Sequence, residues 1–355
     1  MQLPPELKQQ LAEQKKQCVF CKLIAKEIPG KIVFEDPKTI ALLDIYPAVK
    51  GHTLFLPKEH YPILPYMSEE EFTHFFSLLP SIIKAVKDSM VATAFNLFIA
   101  SGGAAGQQAP HFMVHCLPRE QGDGFFNFLF TKKGKPLEEE QKKVLIQNVP
   151  LTLQRSLKGS KLSQDQPAFL QKIYTASTVL YEDEKMLCVL PTHNIVPGHI
   201  QIYSKKEEKY IEKVSPEDSV YLFSTASICA SLLFEAMKVQ GTNLIVKSGP
   251  SDDNPDGKLC IHILPRKQDD SLQSLLWQPV QPKYNPDSVM EKIKDKMWKV
   301  KYAPKKEEQK IPVVEKKIIK IQDTAPSLPP FSSSPPSSVD PQDEIRKAID
   351  AIRGR

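Results

Sequence analysis

Long apolar runs are missing from this chain of 355 residues. None reaches eighteen consecutive apolar residues, so no bilayer span is expected. Met1 to Lys16 is polar and lacks the apolar core of a secretory signal. Cysteine is scarce. The six residues Cys18, Cys21, Cys116, Cys188, Cys229 and Cys260 are too few and too scattered for a disulfide framework, so a reduced, cytoplasmic protein is expected. No single sign of charge dominates: the net charge is +5 and the pI about 8.7. The lysine excess crowds one late segment, Lys292 to Lys320, where Glu291, Asp295, Glu307, Glu308 and Glu315 dilute it. That segment reads as a solvated helix face and linker, or as a patch that touches nucleic acid. Aromatic and basic residues do not interleave as they do in RNA-binding segments, so nucleic acid is not an expected partner.

The chain does repeat itself. Glu35-Asp36 returns as Glu182-Asp183, Gly51-His52 as Gly198-His199, Asn96-Leu97 as Asn243-Leu244, and Ser101-Gly102 as Ser248-Gly249. His115 with Leu117-Pro118-Arg119 returns as His262 with Leu264-Pro265-Arg266. Every pair is separated by 147 positions, which marks a tandem duplication of a whole domain. An apolar fraction of 41% supports two real cores.

Each copy has the same order of elements. In the first, β-type runs cover Lys31–Phe34, Thr39–Asp44 and Thr53–Pro57. A helix then opens on the capping box of Ser68 and Glu71, and Phe72, Phe75, Phe76, Leu79, Ile82, Ile83 and Val86 keep a 3.6-residue period, with a kink expected at Pro80. Two more apolar runs follow, Asn96–Ala100 and Phe112–Leu117. The second copy opens its helix with Ser215-Pro216-Glu217-Asp218 and ends on Asn243–Lys247 and Leu259–Leu264. Strands, one helix and strands again predict an α+β fold, each copy an antiparallel sheet with helices.

The expected organisation is an N-terminal extension (1–17), a first domain (18–135), a connector (136–165) and a second domain (166–302). A charged, then Ser/Pro-rich disordered linker (303–341) and a short C-terminal helix (342–355) complete it.

Cys18-Val19-Phe20-Cys21 has the spacing of a zinc knuckle, because two thiolates that close can take two corners of a tetrahedron. A redox pair or two ordinary thiols fit the same spacing. Further ligands would come from elsewhere, with His60 and His111 as candidates.

The run His111-Phe112-Met113-Val114-His115-Cys116-Leu117-Pro118-Arg119 resembles the signature of the histidine-triad (HIT) superfamily. Leu43-Asp44-Ile45-Tyr46-Pro47, Gly51-His52-Thr53-Leu54, Ala105-Gly106-Gln107 and Gly122-Asp123-Gly124-Phe125 add to the likeness. It covers residues 18–125 strongly and 169–267 more weakly. It implies two tandem HIT-like domains, which in one chain could pack as an intramolecular pseudo-dimer. Further oligomers remain open. A nucleotide or other phosphate-containing small molecule is the implied partner.

From the same resemblance come the site residues. Asp44 matches the acid that binds ribose hydroxyls, next to Ile45; a turn-capping Asp is the plainer reading. Gly106 and Gln107 match the loop beside the phosphates, and His115 matches a phosphate contact. Cys18, Cys21, His60 and His111 match a structural zinc site. Copy two has Glu207 and Lys258 in place of the two histidines, so one zinc per chain is implied.

The departures bear on activity. The family's nucleophilic His is Met113 in copy one and Cys260 in copy two. A thioether is neither basic nor able to form a stable phosphoramidate. Gln108 and Ala100 replace two further phosphate-handling positions, and Pro191 replaces the ribose acid in copy two. The expected function is nucleotide binding with impaired catalysis. One alternative is a hydrolase or nucleotidyl transferase whose rearranged site uses Cys260, flanked by Lys258 and His262, or His111, expected one pleat from Met113 on the same strand face. Another is a scaffold or nucleic-acid-associated interaction protein.

Overall fold

The computed structural model describes residues 5–302, apart from 132, 133, 158, 159, 269, 271, 273 and 274. The expected linker and terminal helix beyond residue 302 lie outside the described residues. Helices α1 (Pro5–Gln17) and α2 (Val19–Ile24) precede the first copy. That copy comprises β1 (Ile32–Glu35), β2 (Thr39–Leu43), β3 (Thr53–Pro57), α3 (Glu69–Met90), β4 (Ala94–Ser101) and β5 (Val114–Arg119). Helices α4 (Glu139–Ser156) and α5 (Gln171–Thr175) connect it to the second. There follow β6 (Ser177–Glu182), β7 (Met186–Pro191), β8 (Ile200–Ser204), α6 (Pro216–Met237), β9 (Gly241–Ser248), β10 (Cys260–Arg266) and α7 (Pro286–Met297). The fold is α+β, and every strand pair is antiparallel.

Local chemistry sets the helix starts. Ser68 Oγ accepts the Glu71 N–H at 3.3 Å, and three acids in the first turn of α3 oppose the positive end of its dipole. Ser215 Oγ does the same for the Asp218 N–H at 3.1 Å, with Pro216 at the first helical position of α6. Helix α3 continues through Pro80 to Met90.

All ten strands form one sheet, ordered β1-β2-β3-β5-β4-β9-β10-β8-β7-β6. The two copies meet at β4 and β9. There Phe98 faces Ile245, its own counterpart 147 positions later. On the helix side of the sheet Phe76 stacks on Phe223, also its own counterpart, with ring centroids 4.4 Å apart. A local two-fold axis therefore runs through both pairs. A single large core under α3, α4 and α6 spans both copies.

The opposite face of the sheet is closed differently. Over β2 and β3 it is covered by α2, through Phe20 and Leu23 against Ile40, Leu42, Leu54 and Leu56. Over the central strands it is covered by two straps, the segments that follow β5 and β10. Phe125 and Phe128 from one and Leu275 from the other pack on Phe98 and Ile245.

Among the described residues one helix, 216–237, is long and apolar enough to cross a membrane, despite the lack of an unbroken apolar run. Most of it is buried inside the fold, because it is the central helix of the second copy. Strand β5 begins at Val114, so His111 and Met113 precede it rather than alternating along it. The Phe112 N–H is drawn to the Tyr61 carbonyl and the His111 ring to the Pro57 carbonyl, away from the ladder. Helix α7, assigned by chain order to the second domain, packs on α3 and β1 of the first, with Val289, Ile293 and Met297 turned inward.

A buried charge cluster closes one end of the seam. Asp253, from the loop before β10, accepts bonds from Arg119 Nη1 at 2.9 Å, Asn96 Nδ2 at 2.9 Å and Ser251 Oγ at 2.8 Å. Lys247 Nζ lies 3.6 Å away, and Arg119 also forks onto Asp123. The Arg119 and Asp253 side chains are wholly buried. Removing one partner leaves buried cations uncompensated, so Asp253→Ala should cost about 3–5 kcal/mol of folding free energy. Urea titration would measure it, and an unchanged midpoint would mean that the cluster does not hold the seam.

Candidate nucleotide and metal sites

His52 precedes β3 and His115 lies on β5. The strands place Leu54 opposite His115, which brings the two rings together. His52 Nε2 stands 3.1 Å from His115 Nδ1. The Ala48 N–H donates to His52 Nδ1 at 3.3 Å. That fixes the tautomers: His52 carries its proton on Nε2 and donates it to His115 Nδ1. His115 then carries its own proton on Nε2, as a donor.

Asp44 Oδ2 lies 3.5 Å from His52 Nδ1, and its other oxygen caps the Tyr46 N–H at 2.8 Å. The second copy decides between amide and acid as the ring's constant partner. There Pro191 replaces the acid, yet His199 Nε2 stands 3.1 Å from His262 Nδ1 and the Ile195 N–H donates to His199 Nδ1 at 3.4 Å. The amide holds the ring in both. Asp44, His52 and His115 are close enough to share a cation, but in this tautomer the one His52 lone pair, on Nδ1, already accepts the Ala48 N–H.

Met113 occupies the position before this relay. It is half-buried and packs with the cluster containing Cys21 and Ile45. Gly106 has φ +83°, the left-handed region open to glycine, and a Cβ there would stand 3.0 Å from Leu276. The Gln107 amide fastens the loop: its Oε1 accepts the Gly102 N–H, and its Nε2 donates to the Pro62 and Ala109 carbonyls. Leu276 and Trp277 went unseen in the sequence. The Trp277 ring meets His52 at 4.9 Å and His115 at 5.2 Å, edge to face, and its Nε1 donates to the Tyr46 carbonyl. The faint sequence signal is that Trp277 is the counterpart of Phe130, whose ring lies 6.3 Å from His262.

Cys18, Cys21, His60 and His111 come together. The Cys21 sulfur is 3.3 Å from His60 Nδ1 and 3.6 Å from His111 Nδ1, and the Cys18 sulfur is 3.6 Å from His111 Nδ1. A tetrahedral zinc with ordinary Zn–S and Zn–N bonds needs sulfur–nitrogen edges of roughly 3.6 Å. The four donors fit such an ion. His111 Nε2 stands 2.9 Å from the Pro57 carbonyl, which turns Nδ1 toward the sulfurs, the outer-sphere arrangement metal-bound histidines use. The hydrogen bond from Cys21, helped by His111 and His60, pulls the Cys18 thiol far below its usual range.

With both ring nitrogens so engaged, His111 is not poised to act as a nucleophile. Cys260 is 5% exposed among Leu170, Leu187, Val189 and Tyr203, and burial pushes its thiol up to about 12. Its neighbour Lys247 is committed elsewhere, donating to the Phe128 and Asp253 carbonyls.

A HIT-domain family model matches residues 25–122 and 174–269. The chain therefore belongs to the HIT family, with two such domains in tandem. It is 36% identical over 127 residues to an uncharacterised HIT-like protein of Methanocaldococcus jannaschii, covering 36% of this chain and 98% of that protein. It is 37% identical to an adenylylsulfatase of Arabidopsis thaliana, covering 30% of this chain and 54% of that one. Among solved structures, a zinc-bound histidine-triad protein of Mycobacterium smegmatis is 31% identical, with a TM-score of 0.29, covering 31% of this chain and 80% of that chain.

A thiol held at about 12 stays protonated well above neutral pH. Iodoacetamide should leave Cys260 unmodified in the native protein from pH 7 to about pH 10 and modify it after denaturation. Mass spectrometry of the peptide checks this; native labelling at pH 8 would show an activated thiolate.

Proposed function

We propose that the chain binds a nucleotide, or a small molecule carrying a phosphate, in its first copy and does not transfer it. The observation that carries this reading is Met113 standing at the nucleophile position beside an intact His52–His115 relay. In the relay His115 carries its proton on Nε2, a donor of the kind that suits a phosphate oxygen, while the Met113 thioether offers no nucleophilic nitrogen. Asp44 and Ile45 would line the ribose, Asp44 accepting from its hydroxyls, and Gly106 would let phosphate approach the backbone of a loop that Gln107 fastens. The likeness to an adenylylsulfatase supports an adenylyl-type ligand. The second copy serves as scaffold, completing an intramolecular pseudo-dimer across β4 and β9. Six free cysteines suit a reduced, cytoplasmic setting.

The first copy is a zinc-stabilised domain in this reading. Cys18, Cys21, His60 and His111 would hold the ion, whose role is to fasten α2 to the segments after β3 and before β5. Such a site closes all four positions and leaves none for substrate.

Two measurements test this. AMP at about a hundred times its dissociation constant should stabilise the protein by about 2.7 kcal/mol in thermal unfolding. Asp44→Asn, which keeps the cap on Tyr46, should lose that shift. No stabilisation by any nucleotide would leave a scaffold only, and turnover of dinucleoside polyphosphates abolished by Cys260→Ala would restore an enzyme. For the metal, elemental analysis should find one zinc per chain. Cys18→Ser should lose it and unfold at a temperature lower by on the order of 10 °C. A metal-free protein as stable as the zinc-replete one would remove the assignment.

A further inference from the structure

Helix α7 turns Val289, Ile293 and Met297 inward onto α3 and β1. The residues that follow it are pinned in the same way. Val300 is buried, and the Tyr302 ring lies on the His74 ring with centroids 4.2 Å apart. His74 is itself held by the Asp36 carboxylate, its Nε2 2.7 Å from Oδ2. Between these anchors Trp298, Lys299 and Lys301 face water. Trp298 is 68% exposed, more than any other large aromatic side chain described. An indole is highly buried in most folds, and Trp is enriched where partners dock.

The company of the ring is cationic. Lys299 Nζ lies 5.3 Å from the centre of the indole ring. Trp298 keeps the helical backbone at the end of α7, so Lys294, four positions earlier, shares its face. Among the described residues only one lysine of this stretch has an acidic partner, Lys296 on Asp295 at 3.3 Å. Lys294, Lys299 and Lys301 carry uncompensated charge beside the ring. Over the late segment as a whole aromatic and basic residues do not interleave. Here the fold sorts them, burying Met297 and Val300 and leaving ring and cations outside.

The charge calls for an anionic partner, and the ring decides which. An interfacial helix lays an apolar face into lipid, and that face of α7 is already packed on α3 and β1. An acidic peptide satisfies the lysines and brings nothing flat to the indole. A single-stranded nucleic acid supplies both parts, phosphates for the ammonium groups and a base for the ring.

We propose that the corner formed by Trp298, Lys294, Lys299 and Lys301 binds single-stranded nucleic acid, with a base stacked on the indole and the flanking phosphates on the lysines. Val300 and the Tyr302–His74 contact hold the backbone in place, so the platform exists before the strand arrives and little ordering opposes binding. The corner is on the helix side of the sheet. The His52–His115 relay is on the other side, where the His115 ring lies 5.8 Å from Phe98, so the two sites are independent.

Fluorescence anisotropy of a labelled oligouridylate, titrated with the full chain, tests this. Trp298→Ala should bind about tenfold more weakly, the loss of one stacked base, and Trp298→Phe should recover most of that because a ring remains. Affinity should fall with salt on a log–log slope of about −2 for three phosphate contacts, and Lys294→Gln should make the slope shallower by about 0.7. Indole emission should be quenched by the strand in wild type and not in Trp298→Phe. Equal affinity of wild type and Trp298→Ala would show that no base stacks there and overturn the proposal. Displacement of the strand by AMP, or its loss in Asp44→Asn, would place it at the first-copy site and overturn the proposal as well. No binding of the strand at low salt would do the same, and capture of phosphatidylserine vesicles in its place would mark a membrane surface.

Discussion

The antiparallel pairing of β4 with β9 is the constraint on which the rest depends. Its register puts Phe98 against its own counterpart Ile245, so the strands and central helix of one copy are carried by rotation onto those of the other. The stack of Phe76 on Phe223 repeats that relation through the helices. One consequence is geometric: a chain leaving β5 or β10 at the seam finds apolar surface to cover on the far copy. Both straps cross, and the core they form on Phe98 and Ile245 exists only because two copies are joined. The buried Arg119–Asp253 contact has the same origin, since its partners come from different copies.

From that symmetric frame the two sites have diverged in chemistry while keeping one device. The imidazole pair is the same to a tenth of an ångström in both, and each is fixed by a backbone amide rather than by the acid. Around it, copy one has a glycine loop stapled by Gln107 and a thiol–imidazole cluster beside Met113. Copy two has an acid at the loop glycine's position and a lysine at the position of Ala100, and these neutralise one another in the interior. The metal-type cluster and the ligand-type site are mechanically linked. Phe112 is held by Tyr61 and His111 by Pro57 at the end of β3, and Met113 follows at once.

Much of this was legible in the residues. The repeat, the capped helices and the strand order follow from local chemistry repeated at a fixed spacing, and Ser68, Ser215 and the Gly-His turns behave as their types require. The four donors Cys18, Cys21, His60 and His111 were readable because thiols and imidazoles carry their chemistry with them. The place of His111 on a strand was not. Alternation describes a strand that exists, and a ring bonded to the Pro57 carbonyl pulled this segment off the ladder. Pro216–Met237 is apolar without an unbroken apolar run for a related reason: a central helix tolerates single polar residues wherever a neighbouring backbone receives them, as Phe76 does for Ser219.

The sequence by itself determined the family, the duplication and the presence of Met113 and Cys260 two positions before His115 and His262, because each is a matter of residue identity at a fixed spacing. Only the tertiary structure decided which groups face the relay. Trp277 stands 162 positions beyond His115 in the chain and reaches it by crossing a two-fold axis that no single stretch of sequence contains. The charge on Lys247 is likewise a statement about Asp253 and the Phe128 carbonyl. Its meaning comes from desolvation and from partners on another segment, and those arise only when the ten strands close into one sheet.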